Sequence, residues 1–210
     1  MFRRLLIHLS IVTATLAIAP AAFASGGNYV FDGGSKPQQA QVTQALSASA
    51  FPWGIVPGPV VVHISRGVAS SAAPNQIWLD ANLLDAGRFA WGVVQHEYAH
   101  QVDFALLSST TRAELHSLLG GAAWSGPEGH STLDSERFAD LVSWAYWGSS
   151  DNVMKPLSAQ DEGGQVSPAV FRATLAAILP GLPTTPQVAA GATRTTSALV
   201  LKPAVRKRAR

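Results

Sequence analysis

Apolar residues recur at helical spacing in two long stretches of the chain, and in short β-branched blocks between them. Residues 88–107 read as a mostly buried helix, in which Val93, His96, His100, Asp103 and Leu107 share one stripe. Residues 134–147 form a second helical run, with Glu136, Asp140, Ser143 and Trp147 on one stripe. Ser35 with Pro37 marks a helix start leading into Gln38 to Ser49. Pro59 to Ser65 and Gln76 to Asp80 read as strands, the second entered through the turn-like Ala73-Pro74-Asn75. Thr111 to Leu119 is a short helix ended by Gly120-Gly121, and a last helix runs from Ser167-Pro168 to Leu179 before Pro180-Gly181. No internal repeat is present. The expectation is an α+β fold: a small mixed sheet packed on several helices.

The first long helix carries polar residues on a face that should be buried. His96 and His100 stand four apart, so both imidazoles can aim at one point. Buried polar groups left unpaired cost about 1–3 kcal/mol each, and a shared metal ion removes that cost. Glu97, directly after the first histidine, is placed to hold an attacking water as general base. A catalytic zinc site needs a third protein ligand and an open corner. The second long helix offers Glu136 as that ligand, with Asp140 one turn on to accept the spare N–H of a ligand histidine. Asp103 lies close to the histidine stripe and is a further candidate for that outer role. Asp134 is an alternative ligand, and the loop carrying Glu128 and His130 precedes the second helix and can roof the cleft.

His96-Glu97-Tyr98-Ala99-His100 followed by Glu136 and Asp140 resembles the zincin metallopeptidases, in their gluzincin branch with a glutamate as third ligand. The resemblance covers two helices, roughly residues 88–107 and 134–147. The metzincin continuation is excluded, because Asp103 and Leu106 stand where glycine and a third ligand belong. The resemblance implies a zincin-like fold with the metal-motif helix at the cleft, one Zn²⁺ ion held by His96, His100 and Glu136, and peptide hydrolysis. It also implies that a sheet edge before that helix binds extended substrate by strand addition, with Ile77, Trp78 and Leu79 as the expected edge. Thermolysin-like enzymes carry a later histidine that stabilises the oxyanion, but no histidine follows His130 here. Tyr146 is the expected substitute, since Tyr98 on the metal helix points toward the core.

The chain has 210 residues and no cysteine, so neither disulfides nor thiolate ligands are available. Arg3 and Arg4, the apolar run Leu5 to Ala19 and Ala22-Phe23-Ala24 read as a signal peptide over residues 1–24, cleaved after Ala24. That implies a secreted or cell-surface protein, with a catalytic domain over residues 25–183. The net charge of +2 hides an asymmetry, because residues 194–210 hold six basic and no acidic groups. Residues 184–210 are expected to be a disordered linker and basic tail. Such a tail suits anionic cell-surface polymers or lipid headgroups. It has no interleaved aromatics, which argues against nucleic acid. Two functions follow. One is a secreted zinc metallopeptidase acting on peptides or proteins. The other is a non-catalytic exported binding module on a zincin scaffold, docked to anionic surfaces by its tail.

Overall fold

The computed structural model describes residues 26–127 and 129–185. Both the expected signal peptide and nearly all of the expected basic tail lie outside these residues, as does Glu128. The sheet has four strands: β1 (Tyr29–Gly33), β2 (Val60–Ser65), β3 (Ser71–Ala73) and β4 (Gln76–Asp80). Their spatial order is β1-β2-β4-β3. β1, β2 and β4 run parallel, and β3 is antiparallel to β4. Period-two patterning explains β2: Val60, Val62 and Ile64 are buried while His63 and Ser65 face the other way.

Helix α1 (Lys36–Ala48) crosses from β1 to β2. Its entry is fixed by Ser35, whose backbone N–H donates to Gln38 Oε1 at 2.9 Å, and by Pro37 in the first turn. β4 passes directly into α2 (Ala81–Asp85), with the Asp80 carboxylate accepting from Asn82 N–H at 3.0 Å. A 3₁₀ turn, Gly87–Ala90, then leads into α3 (Trp91–Leu106). The helix expected from residue 88 therefore starts three residues later, because the tighter turn uses residues 87–90. α4 (Ser109–Leu119) ends at Gly120, whose φ of 68° is the left-handed cap that glycine adopts freely. α5 (Asp134–Tyr146) and α6 (Pro168–Ile178) complete the fold.

The six helices and small mixed sheet make the fold α+β. α3 is its centre: it packs against α1 on one side and α5 on the other, and every residue from Val94 to Asp103 is buried. Tyr98, Trp53 and Phe51 fill the space between α3, α1 and the sheet, while Phe138 and Phe171 join α5 to α6. The chain is still tied down at the expected start of the linker, where Arg172 Nε donates to Thr184 O at 3.1 Å. Among the described residues no helix is long and apolar enough to cross a membrane.

One expectation about the sheet is overturned. Ile77, Trp78 and Leu79 do not form its edge. β4 lies between β2 and β3, so Ile77 and Leu79 are buried, and Trp78 stacks on His63 with ring centroids 5.2 Å apart. The edge on that side is β3, with β1 at the other end of the sheet. Pro74 and Asn75 close a two-residue turn, with Asn75 at φ 62°, a conformation asparagine tolerates better than most residues. That turn folds Ser71–Ala73 back along β4 and caps the side of the sheet nearest α3.

Candidate metal centre

α3 and α5 pack side by side, and the i, i+4 pairs on their facing stripes meet. His96 Nε2 and His100 Nε2 are 3.2 Å apart. Glu136 Oε2 lies 3.2 Å from the first and 3.3 Å from the second. Zinc bonds of about 2.0–2.1 Å put adjacent corners of a tetrahedron about 3.3–3.4 Å apart. The three atoms thus already form one face of such a tetrahedron, and the donor set fits Zn²⁺. All three side chains are at least largely buried.

The fourth side chain of this group sets the protonation. Asp140 Oδ1 accepts from His96 Nδ1 at 2.7 Å. With a carboxylate on Nδ1, one proton is held there, and Nε2 faces His100 and Glu136; it donates to Glu136 in the metal-free protein and is the nitrogen that can offer its lone pair to an ion. Burial alone pulls the His96 imidazole down. Its bonds to Asp140 and Glu136 outweigh that effect and push it up to about 10 without metal. Burial likewise raises Glu136, but bonds from His100 and His96 prevail and hold its carboxyl far below the usual range. Glu97 behaves in the opposite way. Burial dominates and raises its carboxyl, only partly opposed by His96 and His100. Its carboxylate oxygen lies within 4.8 Å of the ligand nitrogens of both histidines.

The group lies in the wall shared by two lobes of a cleft. One lobe, of about 460 Å³, is bounded by Ser70 to Ala72, Phe104, Arg112 and Trp124. The other, of about 500 Å³, is bounded by Val93, Val153, Met154, Pro156 and Leu157. His96, Glu97 and His130 line both. Ser70 and, from the β3 edge, Ser71 and Ala72 form one rim. Gln101 fixes that rim to the metal helix: its side chain accepts from Asn75 N–H at 2.8 Å and donates to Ala73 O and Gln76 O at 3.0 and 3.1 Å.

Three residues are placed differently from expectation. Asp103 is not a partner of the ligand histidines. One turn past His100 along α3, it faces α4, and among the described residues it accepts from Arg112 Nε at 2.7 Å and from Trp124 Nε1 at 3.1 Å. Tyr146 does not reach the cleft. It is buried against Phe51, with ring centroids 5.0 Å apart, and its hydroxyl has no hydrogen-bond partner among the described residues. It is the last residue of α5, seated against the segment after α1, where Ala50 N–H donates to its carbonyl at 2.9 Å, and far along the helix from Glu136. Asp134 is fully buried but accepts from Gly121 N–H and pairs with His116, so it closes the loop before α5 rather than joining the cluster. Tyr98 points into the core as expected and donates to Asn28 O at 3.2 Å.

Two contributors were not identified from sequence. Gln101 carried no signal beyond its place next to His100. The edge Ser71–Ala73 was hidden because small residues give no strand pattern, although Pro74-Asn75 marked the turn that creates it. No family model, curated protein or solved structure matches the chain.

Proposed function

We propose that this protein is a secreted, zinc-dependent metallopeptidase of minimal zincin type, hydrolysing peptide bonds in the cleft beside β3. The observation that carries the reading is the convergence of His96 Nε2, His100 Nε2 and Glu136 Oε2 within 3.3 Å of one another, with Glu97 beside them. His96, His100 and Glu136 would hold the ion. When bound, Zn²⁺ supplies Lewis acidity, making water acidic near neutral pH and polarising a carbonyl.

The chain's own groups do the rest. Asp140 keeps the proton on His96 Nδ1, so Nε2 remains a donor of electrons. Glu97 takes a proton from the attacking water at its carboxylate and later gives it to the leaving amine. Its burial raises its basicity toward that task. β3 presents the backbone of an exposed edge strand, to which an extended peptide can add as a further strand across the two lobes. Small side chains at Ser70, Ser71 and Ala72 let that backbone approach closely. Export rests on the sequence of residues 1–24.

Purified protein is expected to contain or take up one equivalent of Zn²⁺ and to cleave peptide substrate in a chelator-sensitive way. E97Q is expected to keep the metal and lose turnover by about 10²-fold or more. A folded sample that never takes up Zn²⁺ removes the reading. Metal uptake without peptidase activity favours the binding-module alternative.

A further inference from the structure

His130 is wired in the same way as His96. The His96 ring bonds a carboxylate through Nδ1, Asp140 at 2.7 Å, and turns Nε2 toward Glu136 at 3.2 Å. The His130 ring bonds a carboxylate through Nδ1, Glu162 at 3.1 Å, and turns Nε2 toward Glu136 at 2.8 Å. The two rings lie nearly parallel, 14° apart, with centroids 6.1 Å from each other. A carboxylate on one ring nitrogen and a shared site on the other is the arrangement of metal-bound histidines. The ligand atoms of His96, His130 and Glu136 all lie within 4.8 Å of one another. Adjacent tetrahedral corners are about 3.3 Å apart, and His130 Nε2 already stands 2.8 Å from Glu136 Oε2, on the side of that ligand facing His96.

Unlike the helix-borne ligands, His130 stands on a short turn, His130–Thr132, and its side chain is 66% exposed. Its carboxylate partner comes from the separate loop between α5 and α6. We propose that His130 is a fourth, displaceable protein ligand, held by Glu162, that closes the metal's open corner in the resting protein. This rests on the metal reading above and adds a resting state to it: substrate must lift the 129–132 turn before the corner is free. His130 lines both lobes of the cleft, so a peptide laid along β3 meets it.

The test uses the full-length protein loaded with Co²⁺, whose visible spectrum reports ligand number, with azide as a small probe of an open corner. The parent protein is expected to give a tetrahedral spectrum that azide does not change. H130A, on an exposed turn, is expected to fold, to bind Zn²⁺ about ten-fold or more weakly in chelator competition, and to give a cobalt spectrum that azide shifts. E162Q, which leaves the imidazole in place, is expected to weaken Zn²⁺ binding in the same direction and by less. A parent spectrum that azide shifts overturns the proposal, and so does an H130A spectrum that azide leaves unchanged. A parent protein that binds neither Co²⁺ nor Zn²⁺ overturns the metal reading itself, and this inference with it.

Discussion

Replacing Asp140 with alanine tests the site where the structure departs most sharply from a reading of spacing alone. Two buried aspartates lie near the ligand histidines. Asp140 accepts from His96 Nδ1 at 2.7 Å, and Asp103 serves Arg112 and Trp124. Outer partners of metal-bound histidines are worth about 10–100-fold in metal affinity, which is about 1.4–2.7 kcal/mol. The His96–Asp140 bond is short and both residues are over 90% buried, so solvent neither competes with it nor screens it. The upper part of the range applies: D140A is expected to lose about 2.5 kcal/mol, roughly seventy-fold, in Zn²⁺ affinity. D140N keeps an acceptor oxygen without the charge and is expected to lose about half of that.

D103N is the contrasting variant. It breaks a hydrogen-bonded ion pair between α3 and α4, so it is expected to lower the stability of the metal-free protein by about 1–3 kcal/mol. Its Zn²⁺ affinity is expected to stay within about two-fold of the parent, because neither ligand histidine depends on it. Competition with a chromophoric chelator at fixed pH and salt gives the affinities, and denaturant melts of metal-free protein give the stabilities. The reasoning is refuted if D140A binds Zn²⁺ as tightly as the parent, or if D103N loses as much affinity as D140A.

Three further outcomes are expected. G92A adds a Cβ 2.6 Å from Asn152 Oδ1, and Asn152 is held by bonds to Ser143 and to Trp147 O, so crowding of about 1–3 kcal/mol outweighs the helix gain of about 1 kcal/mol in a denaturant melt. Y146F removes a buried hydroxyl that has no partner among the described residues, so it is expected to leave peptidase activity unchanged and to hold or raise the melting temperature; lost activity would return Tyr146 to the mechanism. The third outcome concerns pH. His96 is raised in the metal-free fold, so the stability it lends is complete below its ordinary value near 6.5 and is lost as pH climbs toward about 10. Metal-free protein is therefore expected to melt lower at pH 9.5 than at pH 6.5, and a flat profile counts against the His96–Asp140–Glu136 cluster.

The convergence of His96, His100 and Glu136 was legible because it is written in helical spacing. His96 with His100 and Glu136 with Asp140 are two i, i+4 pairs on runs whose apolar period is plain, and two such stripes packed together can converge on one point. Asp103 misled because a stripe defines an angle around the helix and says nothing of distance along it. One turn onward, the neighbour is α4 and not α5. Tyr146 misled for the related reason that ten residues of α5 carry it about 15 Å from Glu136 along the axis. The strands Val60–Ser65 and Gln76–Asp80 were legible from β-branched and apolar runs. Ser71–Ala73 was not, because a strand of small residues owes its place to the neighbour it pairs with, and Tyr29–Gly33 was not, because its three strand formers, Tyr29 to Phe31, are too few between glycines to set a period. The pairing order of a sheet is a long-range property, and that is why the edge was assigned to β4 rather than β3.

The metal group and the sheet edge are set by a single helical register. His100 and Gln101 are neighbours on α3, so their side chains leave the helix about 100° apart. One reaches Glu136 on α5, and the other reaches three backbone groups of the β3–β4 turn. A rotation of α3 that spoiled the 3.3 Å spacing to Glu136 would also pull Gln101 from Asn75, Ala73 and Gln76. Burial on both sides of α3 resists that rotation, since Tyr98 and Val102 pack into the core while His96 and His100 face α5. The distance between the His96–His100–Glu136 face and the β3 edge is therefore fixed by the packing of one helix. That coupling lets one helix, within the described residues, keep the His96–His100–Glu136 group and the β3 edge in register.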